Sequence, residues 1–256
     1  MDEKELVGIS NKSAQVSNLE VSDSDMNKIN KYTLEKLTKD EVFVFKVAMC
    51  DNEIDRDFEV FTIKALNDLA KLFVGKTVIK DHTARADNQV ARIYATEVVS
   101  DASKSTQRGE VYTQLVAHCY MLNTESNKDI IAEIKGGIKK EVSVGFRSQK
   151  AVCSICGTDN RKKWCEHING HKYDGKVCYF TMEDITDTYE LSFVAVPAQP
   201  KAGTVKNYGG IKEEKQVEND EQQPVEQPEQ KQNTAIEESI NLRVRLVDSF
   251  LFANKN

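Results

Sequence analysis

The sequence has no long apolar run, and this absence excludes one class of protein. No stretch approaches the roughly 20 apolar residues that a membrane-spanning helix requires, although 39% of the 256 residues are hydrophobic. The first residues, MDEKELVGIS, are acidic and lack the basic and then apolar order of a secretory signal. We therefore expect a soluble chain with one sizeable folded domain and no membrane partner.

The chain also lacks a concentrated excess of basic residues. Its formal net charge is −6, and residues 211–240 carry nine Asp or Glu against three Lys, so this one segment accounts for the whole net charge. Nucleic-acid-binding surfaces usually show clustered Lys and Arg. No direct contact with nucleic acid is expected.

Histidine is scarce, with four in the chain, and this limits the side chains that can act as a base near neutral pH. His167 and His171 lie in a cysteine-rich stretch, which leaves His82 and His118. His82 follows the predicted strand KTVIK on a polar loop, from which its ring can project into a cleft. His82 is therefore the favoured base, and His118, within a strand pattern, is the alternative.

The six cysteines are spaced too unevenly for a disulfide framework, and four of them fall within residues 153–178. The stretch CSICGTDNRKKWCEH has the spacing C-x2-C, then eight residues, then C-x-H. Such pairs place four ligands around one zinc ion, and a complete set is closed to water and therefore structural. The predicted ligands are Cys153, Cys156, Cys165 and His167, with Cys178 or His171 as substitutes for the last.

The stretch KKEVSVGFRSQ places a hydroxyl within a good strand pattern. With a period of two, Val142, Val144 and Phe146 form one apolar face, and Ser143 and Gly145 lie on the other. Gly145 leaves room for a second backbone to approach on the face that carries the Ser143 hydroxyl. Ser143 is a candidate nucleophile, and an exposed strand serine is the alternative interpretation.

A serine nucleophile requires a base, and the base usually requires an orienting acid. In YELSFVAV, Glu190 shares a face with Ser192. A carboxylate in so apolar a strand is costly unless it is paired, and a histidine would supply the partner. Asp81 is the rival, although adjacent residues in an extended chain point away from His82. A plain salt-bridge role for Glu190 remains open.

The pattern as a whole predicts a mainly β fold of the α+β class, with five to seven strands and two helices. A small β-barrel, closed or partly open, with peripheral helices and a zinc-knuckle insert fits this count. The loop SDASKSTQRG should separate strands at 89–99 and 110–121, and YELSFVAVP should be the last strand. The predicted organisation is a flexible arm at 1–40 with at most a short helix, a folded domain at 41–210 containing the insert at 151–180, a disordered acidic linker at 211–235, and an amphipathic helix at 236–256.

Several motifs together resemble one known family. DNEIDRDFEVFT, FVGKTVIKDH followed by QVARIY, VSVGF, CSICG and YELSFVAVPA are similar to segments of the prohead (capsid maturation) serine proteases of tailed bacteriophages, in the broad clan of herpesvirus assemblins. The resemblance spans roughly residues 41–203. It implies a small β-barrel and a serine endopeptidase with His82, Ser143 and Glu190 at the catalytic positions.

The same resemblance implies the partners. The substrates would be the precursor of the major capsid protein, the scaffold and the protease itself, inside the procapsid as it assembles in the host cytoplasm. A homo-oligomer is also compatible with the family. The resemblance supplies no role for the metal insert.

Two other classes of function were weighed. The first is a zinc-knuckle binding module for nucleic acid or a scaffold protein, without catalysis, and only RKKWC offers the basic and aromatic surface that it needs. The second is a zinc metalloprotease, which normally carries H-E-x-x-H, and this motif is absent from the sequence. Both rank below the serine protease.

Overall fold

The computed structural model describes residues 21–204. The predicted linker at 211–235, the helix at 236–256 and the first part of the N-terminal arm lie outside these residues. The described elements, in chain order, are α1 (Asp23–Ile29), β1 (Val42–Asp51), β2 (Glu59–Phe61), α2 (Ile63–Phe73), β3 (Thr77–Lys80), β4 (Ala91–Ser105), β5 (Val111–Leu122), α3 (Lys128–Lys135), β6 (Val142–Cys153), β7 (Lys172–Tyr173), β8 (Lys176–Val177), β9 (Phe180–Phe193) and β10 (Gly203–Thr204).

Eight of the strands form one mixed sheet, so the prediction of a mainly β protein of the α+β class is confirmed. The strand order is β10-β1-β5-β4-β3-β9-β2, and β6 pairs with β9. The pairing does not close the sheet, so the predicted barrel, closed or partly open, is not confirmed. One isolated bridge, between Glu141 and Gly203, connects the start of β6 to β10.

Strand β9 organises one half of the sheet. Strand β6 runs antiparallel along its whole length, from Val142 opposite Phe193 to Cys153 opposite Phe180. Because β6 occupies one edge of β9, the parallel strands β2 and β3 share the other edge, each over a different part of its length. The residues between β6 and β9 are those of the cysteine-rich insert, so β6, the insert and β9 form one long antiparallel unit.

The main core lies between the sheet and α2. Thr62 begins this helix by accepting a hydrogen bond from the Ala65 N–H at 3.0 Å, a typical N-cap. Leu66, Leu69 and Phe73 recur at helical spacing and are fully buried. The opposite face of β1, β4 and β5 is covered by α1, whose Met26 and Ile29 pack in a second apolar cluster with residues that include Val42, Val44, Tyr94 and Tyr120.

Two strands are longer than the sequence pattern predicted. Strand β4 continues into the polar stretch that was expected to be a loop: it pairs with β5 as far as Asp101 opposite Tyr112 and, after an irregularity, again at Ser105 opposite Val111. Strand β9 begins at Phe180, well before YELSFVAVP, because it has partners on both edges. None of the helices within residues 21–204 is both long and apolar enough to cross a membrane.

The turn between β1 and β2 holds a cluster of partly or fully buried acids. The Asp55 Oδ1 atom accepts hydrogen bonds from the N–H groups of Asp57 at 2.9 Å and Glu59 at 2.8 Å. Burial raises the pKa of Asp55 to about 6 and, with the nearby charges of Asp55 and Asp57, raises the pKa of Glu59 to about 7. A carboxyl group whose pKa rises on folding favours the folded state when protonated, so ionisation of Glu59 opposes folding.

The raised pKa of Glu59 predicts that the effect of Glu59→Gln on stability depends on pH. As the pH rises from the ordinary glutamate pKa of 4.5 towards about 7, the wild-type protein loses stability through Glu59 and the variant does not. The difference in free energy of unfolding, variant minus wild type, should therefore become more positive between pH 5 and pH 8. Urea denaturation at several pH values measures it. The exposed Glu35→Gln should show a flat difference, and a flat difference for Glu59→Gln would contradict the prediction.

Candidate functional site

The site is built on the tight turn that follows β3. The Thr83 N–H donates to the Lys80 carbonyl at 3.1 Å, and the two central residues, Asp81 and His82, have φ angles of 54° and 50°. Non-glycine residues rarely adopt this left-handed conformation, and it is strained. The Asn88 side chain donates to the carbonyls of Lys80 at 2.6 Å and Thr83 at 2.9 Å and so braces the turn.

The turn places the His82 ring against Glu190. The distance between His82 Nδ1 and Glu190 Oε1 is 2.8 Å. An ionised carboxylate can only accept hydrogen bonds, so in a neutral ring that donates to Glu190 the proton is on Nδ1 and Nε2 is an acceptor. The side chain of His82 is 43% exposed and that of Glu190 is 12% exposed, so the carboxylate is largely shielded and the ring reaches solvent.

Ser143 lies on the same face of the sheet as this pair. In the antiparallel register Ser143 is opposite Ser192, and Gly145 is opposite Glu190. Directly opposite residues share a face, as do residues two apart on one strand. The structure thus brings Ser143, Glu190 and the His82 ring to one face of the β6–β9 pair. The Ser143 side chain is half-buried, and its hydroxyl makes no hydrogen bond with any described residue.

Gly145 makes room for the carboxylate. A Cβ atom at this position would lie 2.5 Å from Glu190 Oε1 and 3.3 Å from Glu190 Cδ, closer than non-bonded atoms approach. The sequence predicted that another backbone would use this space, and instead the Glu190 side chain occupies it. The second carboxylate oxygen, Oε2, is buried and has no hydrogen-bond partner among the described residues.

The remaining candidates lie elsewhere. His118 pairs with Glu97, with 2.9 Å between His118 Nε2 and Glu97 Oε1, and its ring contacts Tyr94 on the face that α1 covers. Asp81 is exposed, and its contacts run through its backbone. One contact of the site was not predicted from the sequence: the buried Ser192 hydroxyl accepts a hydrogen bond from the His82 backbone N–H at 2.8 Å. The one signal for this contact in the sequence is that Ser192 shares a strand face with Glu190.

The cysteine-rich insert contains a second cluster, which could hold a metal ion. The ligand atoms of Cys153, Cys156, Cys165 and His167 all lie within 4.8 Å of one another. The Cys156 and Cys165 sulfurs are 3.4 Å apart, and His167 Nδ1 is 3.4 Å from the Cys165 sulfur. With Zn–S bonds of about 2.3 Å, two thiolates on one tetrahedral zinc ion lie about 3.8 Å apart. The predicted ligand set therefore has suitable spacing.

The local chemistry of the insert also suits a metal. Hydrogen bonding to Thr158 lowers the pKa of Cys156 to about 6, so this residue is mostly thiolate, the form that binds zinc, at neutral pH. The Gly157 N–H donates to the Cys153 carbonyl at 2.9 Å, and Gly157 has a φ of 71°. This turn closes the C-x2-C knuckle.

The two substitute ligands differ in position. The Cys178 sulfur lies 3.8 Å from the Cys153 sulfur, yet Cys178 is not one of the four residues whose ligand atoms are mutually close. His171 is exposed and is likewise outside that set. His167 packs its ring edge-on against Tyr173, with 4.5 Å between ring centroids. The geometry therefore favours His167 as the fourth ligand.

Comparisons of the chain with family models, with curated proteins and with solved structures found no match.

The cluster predicts one bound zinc ion per chain. Native mass spectrometry of the purified protein should show one equivalent, and Cys156→Ser should lose it, because three ligands bind zinc much more weakly than four. Cys119→Ala is the matched control, since Cys119 is buried in β5 outside the cluster. A metal-free wild-type protein purified with zinc present would contradict the prediction.

Cys178→Ser tests the fourth ligand. It should retain one zinc, and His167→Ala should lose or weaken it. The reverse pattern would assign Cys178 in place of His167.

The contact between position 145 and Glu190 predicts a double-mutant result. Gly145→Ala should lower the free energy of unfolding by about 1–3 kcal/mol, because the added methyl group crowds the carboxylate. In a Glu190→Ala background the same change should be neutral or stabilising by about 0.4–1 kcal/mol, as for a glycine replaced without strain. Equal effects in both backgrounds, measured by urea denaturation, would show that the two positions do not interact.

Proposed function

We propose that this chain is a serine endopeptidase in which Ser143 is the nucleophile, His82 the general base and Glu190 the residue that orients the base. The observation that carries the proposal is the 2.8 Å contact between His82 Nδ1 and Glu190 Oε1, because Glu190 lies on the same face of the β6–β9 pair as Ser143. A serine, a histidine and an acid from three separate segments share one face, as a catalytic triad requires.

The roles follow from the protonation states. Glu190 keeps the proton of His82 on Nδ1, so Nε2 can remove the Ser143 proton as the hydroxyl attacks a peptide carbonyl. The protonated ring then gives this proton to the departing amine. Water, activated by the same ring, hydrolyses the acyl-enzyme and restores Ser143.

The left-handed backbone at Asp81 and His82 supports a functional role for this turn. Strained conformations of non-glycine residues persist where the surrounding structure enforces them, and they cluster at active sites. Here Asn88 and Ser192 hold the turn from two sides. A solvent-facing histidine with no function would not require such support.

The substrate class comes from the resemblance of the motifs to prohead proteases. By that resemblance the substrates are the precursor of the major capsid protein, the scaffold and the enzyme itself, inside the procapsid in the host cytoplasm. Confinement there raises the effective concentration of substrate, so a weak binding groove suffices. On the same basis the sheet is a partly open barrel, for which the Glu141–Gly203 bridge is the supporting contact.

The metal cluster has a structural role in this proposal. Cys153, Cys156, Cys165 and His167 would hold a zinc ion that closes the insert, and a closed four-ligand site leaves no position for a reacting water. The ion contributes folding energy to the insert. Peptide hydrolysis is carried out by the residues of the β3 turn, β6 and β9.

Coexpression with the capsid precursor tests the activity. Ser143→Ala and His82→Ala should each reduce processing by at least about 1,000-fold, because each removes one member of the triad. The readout is precursor trimming on a gel, with phosphonylation of Ser143 by an organofluorophosphonate as a second, substrate-free measurement.

His118→Ala is the matched control, since His118 also pairs with a glutamate but lies with Tyr94 under α1. It should process the precursor normally. Normal trimming by both Ser143→Ala and His82→Ala would end the serine protease proposal. Loss of trimming in Cys153→Ser with full activity in Ser143→Ala would instead favour metal-centred hydrolysis.

One observation favours the second candidate, a binding module for nucleic acid or a scaffold protein. Trp164 in the insert is 79% exposed and follows two exposed lysines, Lys162 and Lys163. Exposed aromatic and basic side chains are the groups that stack on bases and contact phosphates. This segment is a single short basic and aromatic group, and the sequence shows no larger cluster of Lys and Arg. The protease therefore remains the better supported function.

A further inference from the structure

We propose that Ser192 is a positioning residue, whose buried hydroxyl holds the main chain of His82 so that the imidazole stays paired with Glu190 on the face that carries Ser143. This inference rests on the proposed function. It assigns to the serine of the β9 strand a role distinct from that of the nucleophile.

The first support is the contact itself. The Ser192 Oγ atom accepts the His82 backbone N–H at 2.8 Å, and Ser192 is fully buried. A backbone N–H in a short turn has few available acceptors, and leaving a shielded polar group without a hydrogen bond is unfavourable. The contact therefore fixes the turn where a purely local hydrogen bond cannot.

The second support is where Ser192 lies. It is directly opposite Ser143 on β6 and beside Ile79 of β3. Ser192 thus lies in the part of β9 that pairs with both β6, the strand of Ser143, and β3, the strand that leads to His82. One hydroxyl there ties the histidine turn to the strand pair that carries Ser143 and Glu190.

The third support is the strain of the turn. Asp81 and His82 both have positive φ angles, a conformation that is strained for residues other than glycine. The Asp81 N–H donates to the Phe193 carbonyl at 2.9 Å, and Ser192 supplies the corresponding contact for His82. Without the Ser192 contact the main chain of His82 would be free to relax and carry the ring away from the face of Ser143. Glu190 holds the ring, and Ser192 holds the backbone to which the ring is attached.

Among residues 21–204, Ser192 is the other serine on the face that carries Ser143 and Glu190, and it is a poor alternative nucleophile. Its side chain is inaccessible to a substrate, and its oxygen already accepts the His82 N–H. Ser143 is half-buried, and its hydroxyl is not engaged by any described residue. The two serines therefore have different roles: Ser143 is the nucleophile, and Ser192 positions the main chain of His82.

The test compares Ser192→Ala, Ser192→Thr and Ser148→Ala in the full-length chain. Ser148 is a matched control, because it is also buried on the β6–β9 pair but its hydroxyl contacts only the Met182 sulfur, at 3.5 Å. Two readouts are used: the rate of Ser143 phosphonylation by an organofluorophosphonate, and hydrogen exchange of the His82 backbone amide by NMR. Thermal unfolding checks that each variant is folded.

Ser192→Ala should slow phosphonylation by about 10- to 100-fold, the effect of a displacement of about 1 Å in a catalytic group, and should speed exchange of the His82 amide. Ser192→Thr, which retains the hydroxyl, should recover most of the rate, and Ser148→Ala should match the wild type. A folded Ser192→Ala with the wild-type rate and wild-type amide exchange would overturn the proposal.

Failure of the proposed function gives a different pattern. If the wild-type protein does not react with the probe, the serine protease assignment fails. Hydrogen exchange of the His82 amide, compared between Ser192→Ala and the wild type, then shows by itself whether Ser192 holds the turn. If Ser192→Ala does not fold, Asn88→Ala weakens the same turn from its surface side. A slower phosphonylation of Ser143 in Asn88→Ala would support the proposal that a fixed turn is needed, and an unchanged rate would overturn that proposal.

Discussion

The site depends on the register of one strand pair, β6 with β9. That register places Ser143 opposite Ser192 and Gly145 opposite Glu190. A slip by one residue would turn every side chain of β6 to the other face, which would bury the Ser143 hydroxyl in the core and put Val144 beside the acid. The histidine turn adds to this arrangement but cannot replace it, since the contacts that tie His82 to the sheet, with Glu190 and Ser192, are both with β9.

The sequence could reveal the local features of the site. A period of two placed Ser143 and Gly145 away from the apolar face, and Glu190 and Ser192 together, because alternation is a property of the strand itself. The C-x2-C and C-x-H spacings likewise limit where four ligands can lie, and the structure gathers the predicted residues. His82 could be preferred over His118 because a strand end frees a side chain that a strand interior holds between neighbours.

The features that the sequence did not reveal are long-range. The register of β6 shifts relative to β9 between Gly145 and Phe146 and between Arg147 and Ser148, and such bulges change which residues share a face. No periodicity in either strand encodes their position. The full length of β9, the open sheet and the use of the Gly145 space by a side chain depend on which strands become neighbours, and that is decided by packing of the whole domain.

The position of the cysteine-rich insert, between β6 and β9, is related to the register of these two strands. Strands β6 and β9 join through the insert, so their pair begins at Cys153 opposite Phe180 and reaches the site at Ser143 opposite Ser192. In a hairpin the connecting segment fixes the register. A long, irregular insert would fix it poorly, because many alignments would cost little. Four ligands drawn to one ion, the first of them the last residue of β6, remove that freedom. A structural metal at one end of the pair would thus hold the alignment of Ser143 with Ser192 and Glu190 at the other.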